Sequence, residues 1–124
     1  MNENELTQAL SILRWGTGMP IIVSTAAGLE RVRCRGTYSL RVNNFKQLQE
    51  KLPEIEQTAA WTGSLIVTQV TNSVGEFGSG LASAHQLTAR IDDISKTVIS
   101  RIKTSLEETG LDLISFSIEA FDIL

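Results

Sequence analysis

Residues 31–42 alternate between two kinds of side chain. The even positions are apolar or small, and the odd positions are polar or cationic: Arg31, Arg33, Arg35, Thr37, Ser39 and Arg41. Since successive side chains of a β-strand point to opposite faces of the sheet, a period of two is typical of a half-buried strand. The stretch therefore predicts a long strand whose solvent face carries four of the chain's seven arginines.

Shorter β segments precede this strand. Residues 1–10 are polar with weak helical character, SILRWG at 11–16 predicts a first short strand, and IIVST at 21–25 predicts a second. Gly16, Gly18 and Pro20 separate these two strands, and AAG at 26–28 predicts the turn into the long strand. Within the long strand, Gly36 indicates a bulge or the close approach of another backbone.

Helical spacing follows the long strand. Asn43 or Asn44 can cap a short helix that carries Phe45, Leu48 and Leu52 on one side, and Pro53 closes it. Residues 62–77 predict a second helix, because apolar residues recur there in steps of four, four and three: Ile66, Val70, Val74 and Phe77. The β-branched run SLIVTQV within this segment also fits a strand, so both interpretations remain open.

A third helix gives the strongest helical pattern. SAHQ at 83–86 has the form of a capping box, and an apolar stripe follows for over five turns: Leu87, Ile91, Ile94, Val98, Ile102 and Leu106. The stretch GEFGSGLAS before it predicts a glycine-rich connection. Gly110 fits a left-handed stop, and LDLISFSIEAF at 111–121 predicts a final strand.

The order of elements predicts an α+β fold. Strands followed by helices and one further strand favour a curved, mainly antiparallel sheet with two to three helices packed on one side. We expect the final strand to return to the sheet and insert among the early ones. Residues 1–14 form a polar segment with a possible first strand, and residues 15–124 form a single domain of a size that can bury its own core.

The composition offers little material for catalysis. His85 is the only histidine and lies in the predicted capping box, and we find no pair of carboxylates spaced for acid–base chemistry. Gly75, Gly78 and Gly80 match no phosphate-binding loop. Cys34, the only cysteine, falls in the apolar register of the long strand, which predicts a buried thiol. The formal charge of −3 disfavours a general nucleic-acid binder. We expect no enzyme, cofactor or metal.

The arginine row needs a neutralising partner. Along a strand, alternate residues such as Arg31, Arg33 and Arg35 are about 6.6 Å apart, so their charges repel unless something offsets them. One interpretation is a solvated face paired with the cross-strand carboxylates Glu119 and Asp112. The other is a contact surface for anionic lipid headgroups or an acidic partner.

Three runs in order carry a family resemblance: WGTGMPI at 15–21, VRCRGTYSLRVNNFKQL at 32–48 and TGLDLISFSIEAF at 109–121. Together they resemble the SPFH domain of stomatin, prohibitin, flotillin and HflK/HflC proteins. The closest similarity is to the bacterial branch described as virion core protein-like. The chain departs from that branch at Asn44-Phe45, where the family usually has Asp-Pro. The N-cap oxygen is kept and the helix-starting proline is lost.

The resemblance implies a noncatalytic scaffold. SPFH-type domains self-associate in the full-length protein and organise membranes or partner proteins. We therefore expect a cytoplasmic chain that is peripheral at the inner face of the membrane. We expect no nucleic acid among its partners. The candidate contact to an anionic membrane surface or to membrane-associated proteins is Arg31, Arg33, Arg35 and Arg41. Gly36, Thr37 and Tyr38 then have structural roles. The alternative is a soluble protein–protein interaction module without lipid contact, as in the related shoulder domain of the major vault protein.

Overall fold

The computed structural model describes residues 2–124 and shows an α+β fold, as the sequence predicts. The strands of this range are β1 (Leu13–Gly16), β2 (Ile21–Thr25), β3 (Gly28–Val42) and β4 (Leu111–Ile123). Its helices are α1 (Glu3–Ala9), α2 (Phe45–Lys51), α3 (Ile55–Gly78) and α4 (Ile91–Glu108), with a 3₁₀ helix at Ala84–Arg90. The sequence predicted two to three helices, and α1 is an additional helix in the segment with weak helical character.

β3 holds the sheet together. β2 and β1 pair antiparallel with the first and second halves of one edge of β3, and β4 pairs antiparallel with its other edge from Val32 to Val42. The final strand therefore returns to the sheet, but the expectation that it inserts among the early strands is wrong. It pairs with β3 alone, because β1 and β2 both occupy the opposite edge.

Thr17 completes the edge of β3 between β1 and β2. Its backbone N–H donates to the carbonyl oxygen of Cys34 at 3.0 Å, and its hydroxyl oxygen accepts the N–H of Cys34 at 3.0 Å. Cys34 is buried, as predicted, and burial raises the pKa of its thiol to about 12. A thiol that stays protonated at neutral pH is a poor nucleophile, so Cys34 acts as a core residue.

Gly36 lies under an aromatic side chain that spans the sheet. The indole N–H of Trp15 on β1 donates to the carbonyl oxygen of Ser117 on β4 at 3.2 Å, and the Trp15 ring stacks on Phe116 with centroids 5.5 Å apart. A Cβ at position 36 would overlap the Ser117 carbonyl and lie 2.8 Å from the indole nitrogen. The register shifts between Arg35 and Gly36. Of the two predicted reasons for Gly36, the close approach of another backbone is confirmed, and the bulge lies opposite it, with the extra residue Glu119 on β4.

α2 begins where the sequence predicts, whereas α3 begins earlier than predicted. Asn44 caps α2, since its side-chain oxygen accepts the N–H of Gln47 at 3.1 Å. α3 begins at Ile55 and not at residue 62, with the Gln57 side chain accepting the N–H of Glu54 at 3.1 Å. It also ends later than predicted, at Gly78, so the glycine-rich connection is shorter. The strand interpretation of SLIVTQV is wrong, because this run lies inside α3.

The predicted capping box at Ser83 is wrong. Ser83 makes no side-chain cap, and a 3₁₀ turn precedes α4. The N–H of Ala84 instead donates to the Glu30 carboxylate at 2.7 Å, which also accepts the Thr25 hydroxyl at 2.6 Å. The Thr25 bond first, and the Ala84 bond next, lower the pKa of Glu30 below its usual value. The side chain that caps this helix comes from β3, more than fifty residues earlier in the chain.

The core lies between the helices and one face of the sheet. α3 packs against β1 and β2, and α4 packs against β4 and α3. Leu6 and Leu10 at the N-terminus are fully buried in the same core, and the N–H of Leu40 donates to the Leu10 carbonyl. Tyr38 is buried and its hydroxyl shares a hydrogen bond of 2.9 Å with that of Thr62 on α3. Gly110 has the predicted left-handed conformation, with φ of 92°.

We expect the Gly36→Ala substitution to destabilise the fold strongly. The added methyl group overlaps the Ser117 carbonyl, so the Trp15–Ser117 bond must break or β4 must shift. Forcing a methyl group into a packed site of this kind costs about 2 to 3 kcal/mol. Urea unfolding followed by circular dichroism measures the loss.

Gly75→Ala is the matched control. Position 75 lies in α3 and an added Cβ there meets nothing within 4 Å. Replacing a glycine by alanine inside a helix stabilises it by about 0.5 to 1 kcal/mol. Equal stabilities for the two variants would contradict the close approach at Gly36.

Candidate functional site

The outer face of the sheet carries the four arginines singled out by the sequence. The odd-numbered positions of β3 alternate with buried even-numbered ones, as predicted. All four arginines are exposed on this face, opposite the helices: Arg31, Arg33, Arg35 and Arg41. Thr37, between them, shares a hydroxyl hydrogen bond of 3.0 Å with Ser117. The four cations thus lie on one strand but not in equal surroundings.

Two of the arginines have carboxylate partners on β4. Arg41 pairs with Asp112 at 3.1 Å, which confirms one of the two expected cross-strand partners. Arg35 pairs with Asp122 at 3.2 Å and not with Glu119. Glu119 fails as a partner because the bulge of β4 skips it: Arg35 lies opposite Ala120, and the next pair joins Gly36 to Ile118.

Arg31 and Arg33 differ from the other two. Within residues 2–124, no carboxylate oxygen lies within 4.0 Å of either guanidinium group. Arg31 lies opposite Ile22 on β2, and Arg33 lies opposite Asp122 on β4, whose carboxylate pairs with Arg35 instead. The unneutralised charge of the row is therefore concentrated at one end of the sheet.

Apolar side chains surround Arg31, and the sequence analysis missed them. Ile22 is the cross-strand neighbour of Arg31 on β2 and is 64% exposed. On the other side, Leu124 donates its N–H to the Arg31 carbonyl and is 61% exposed. Leu29, two residues before Arg31 on the same face, is 77% exposed. The alternation in IIVST could have placed Ile22 on this face, but grouping the three needed the register of the strands.

We name this end of the outer face the basic–apolar patch, defined by Arg31, Arg33, Ile22, Leu29 and Leu124. It combines two cations without carboxylate partners and three exposed aliphatic side chains. Scattered exposed leucines are ordinary, whereas exposed aliphatic side chains grouped beside cations form a candidate contact surface. The other end of the face is neutralised by ion pairs.

Two groups stabilise the ionised carboxylate of Asp112. The Asn43 amide donates to its carboxylate at 2.9 Å and Arg41 donates at 3.1 Å. The amide hydrogen bond first, and the Arg41 bond next, hold the pKa of Asp112 below its usual value. The Arg41 side chain is exposed, so solvent screens the pair and its effect on stability is small.

A sequence model of the SPFH domain-Band 7 family matches residues 5–123 of the chain. The chain belongs to this family. It is a family of membrane-associated, scaffold-type proteins that is generally noncatalytic and whose members generally self-associate. No curated protein matches the chain at a significant level. The α+β fold with its open antiparallel sheet is consistent with the SPFH fold.

The described residues contain neither a metal-binding cluster nor a membrane-spanning helix. Among residues 2–124, no three histidine, cysteine or acidic side chains are grouped so that they could hold a metal ion. None of the helices in this range combines the length and apolar character needed to cross a bilayer.

We expect the Arg41→Gln substitution to raise the pKa of Asp112. The Arg41 bond favours the ionised carboxylate, so its loss makes protonation easier, while the Asn43 bond still holds the pKa below its usual value. Because the folded pKa is depressed, wild-type protein loses stability as the pH falls through it, and the variant loses less. Carboxyl carbon shifts in an NMR pH titration measure this pKa. Arg33→Gln is the control that leaves it unchanged, and an unchanged pKa in Arg41→Gln would contradict the pairing.

Proposed function

We propose that this chain is the noncatalytic scaffold and oligomerisation domain of a membrane-associated SPFH-type protein, and that its basic–apolar patch contacts an anionic membrane surface. The observation that supports this most is the position of Arg31 and Arg33, which have no carboxylate partner, among Ile22, Leu29 and Leu124. Cations attract anionic headgroups, and exposed aliphatic side chains enter the headgroup–acyl boundary. The localisation we propose is cytoplasmic and peripheral at the inner face of the membrane.

Several finer assignments belong to the same proposal. The three motif runs favour the bacterial virion core protein-like branch of the family. The division into residues 1–14 and an SPFH-like domain at 15–124 stays a prediction, and the buried Leu6 and Leu10 show that the N-terminal segment shares the core. Family membership supports self-association in the full-length protein, because members of the family generally self-associate.

The second candidate function is a soluble protein–protein interaction module. The ion pairs of Arg35 and Arg41 support it, because these two side chains are already neutralised within the chain. Of the original row of four, only Arg31 and Arg33 then remain for lipid headgroups. Such a module binds partner proteins in lipid-free buffer and does not bind vesicles.

Flotation with vesicles distinguishes the two functions. We expect wild-type protein to float with phosphatidylcholine vesicles that contain phosphatidylserine, and less so as salt is raised. We expect the double variant Arg31→Gln/Arg33→Gln to lose about 1 kcal/mol of vesicle-binding free energy per arginine. For both arginines together, this lowers the partition coefficient about 30-fold.

The matched control is Lys46→Gln/Lys96→Gln. It removes the same net charge from two exposed lysines on α2 and α4, away from the outer face. If this control loses as much binding as the arginine double variant, net charge and not the patch drives association. If wild-type protein floats with neither kind of vesicle, the lipid contact is wrong and the interaction module takes its place.

A further inference from the structure

Residues 6–29 contain no aspartate or glutamate, although the chain as a whole is acidic. The first carboxylate after Glu5 is that of Glu30. Its oxygen accepts the Thr25 hydroxyl and the N–H of Ala84, so this carboxylate is turned toward the 3₁₀ helix and away from the outer face. The acid-free run includes all of β1 and β2.

β1 and β2 lie end to end along one edge of β3. In the described part of the chain both pair only with β3, β1 with its second half and β2 with its first. Thr17 anchors the turn between them, because its N–H and its hydroxyl both bond to the backbone of Cys34. We name residues 12–25 the β1–β2 edge. Its other side pairs with no strand of residues 2–124.

Exposed apolar side chains are concentrated at this edge. Among residues 2–124, six large apolar side chains are more than half exposed, and none of them lies on a helix. Three of the six belong to the β1–β2 edge: Ile12 at 74%, Met19 at 82% and Ile22. A fourth, Leu29, follows directly after the turn into β3. Met19, in the anchored turn, is the most exposed of the six.

The edge also carries a cation that the arginine row does not include. Arg14 on β1 lies opposite Thr37, on the outer face, and no carboxylate oxygen of residues 2–124 lies within 4.0 Å of its guanidinium. α3, which packs against both strands, has two carboxylates. Glu56 is in its first turn, and Glu76 is paired with Arg101 at 2.6 Å. The β1–β2 edge is therefore cationic and apolar.

The opposite side of the sheet is acidic. β4 contains Asp112, Glu119 and Asp122 and no lysine or arginine. Neighbouring strands are about 4.8 Å apart, so β4 lies about 10 Å from the β1–β2 edge. This exceeds the Debye length of about 8 Å at physiological ionic strength. A sheet tilted onto its β1–β2 edge keeps these carboxylates away from anionic headgroups, whereas a sheet lying flat brings Asp122 as close to them as Arg33, which lies opposite it.

We propose that the domain docks on an anionic membrane surface tilted onto its β1–β2 edge, with Met19 in the headgroup–acyl boundary and Arg14 among the headgroups. This inference rests on the proposed lipid contact of the basic–apolar patch and extends that contact along the sheet. Ile22 belongs to both surfaces. Leu124, at the end of β4, is the member of the patch farthest from the bilayer in this orientation, and the acidic strand faces away from the lipid.

Single fluorescent labels measure the orientation. Met19→Cys, Ser24→Cys and Ser115→Cys each add one exposed thiol for a maleimide dye, two on the β1–β2 edge and one on the outer face of β4. Cys34 needs no replacement, because burial raises the pKa of its thiol to about 12 and it stays protonated. The vesicles contain phosphatidylcholine and phosphatidylserine, with or without a doxyl-labelled phosphatidylcholine that quenches dyes in the bilayer.

We expect the doxyl lipid to quench the dyes at positions 19 and 24 and to leave the dye at position 115 unchanged. Equal quenching at 19 and 115 overturns the tilt, since the sheet then lies flat. Quenching at 24 alone also overturns it, because the basic–apolar patch then touches lipid without the rest of the edge, and the proposed function stands. Quenching at none of the three, with or without flotation, overturns the lipid contact of the patch as well.

Two matched pairs of variants test the contact residues in flotation. Met19→Gln removes an exposed apolar side chain from the edge, and we expect the partition coefficient to fall about 10-fold. Ile114→Gln removes one from β4, and binding stays unchanged. Arg14→Gln lowers the partition coefficient about 5-fold. Lys46→Gln, on α2, removes the same charge and has a smaller effect. Equal losses within either pair contradict the proposed edge.

Discussion

The crossing of Trp15 over Gly36 to the Ser117 carbonyl is the contact on which the sheet depends. It joins β1 to β4 across β3, so three strands are fixed in register at one point. Only a residue without a Cβ leaves room for it. The stacking of Trp15 on Phe116 covers the same point from the core side. Because β3 is the only strand within residues 2–124 that pairs with all the others, its register decides which side chains share the outer face.

That register divides the outer face into two ends with different electrostatics. The bulge after Arg35 leaves Glu119 out of the ladder, and Asp122 pairs with Arg35 instead. At the other end of β4, Asp112 is held by both Arg41 and Asn43. Neither carboxylate reaches Arg31 or Arg33. A net acidic chain thus keeps two unpaired cations beside exposed aliphatic side chains, which supports the proposed contact there more than the count of arginines did.

The sequence predicted what depends on local spacing. The alternation of residues 31–42 predicted β3 and its charged face, and the stripe that ends at Leu106 predicted α4. The prediction from sequence failed where the interacting residue is distant along the chain. Ser83 was predicted to cap the third helix. The carboxylate of Glu30, on β3, accepts the N–H of Ala84 there instead. The basic–apolar patch was missed for the same reason, because Ile22 and Leu124 become neighbours of Arg31 only through strand pairing.

An open strand edge needs protection from uncontrolled pairing, and β4 carries two of the known devices. Bulges interrupt its register twice, and its charged residues are all acidic. Both features disfavour pairing with a second β4, since identical strands bring acid to acid.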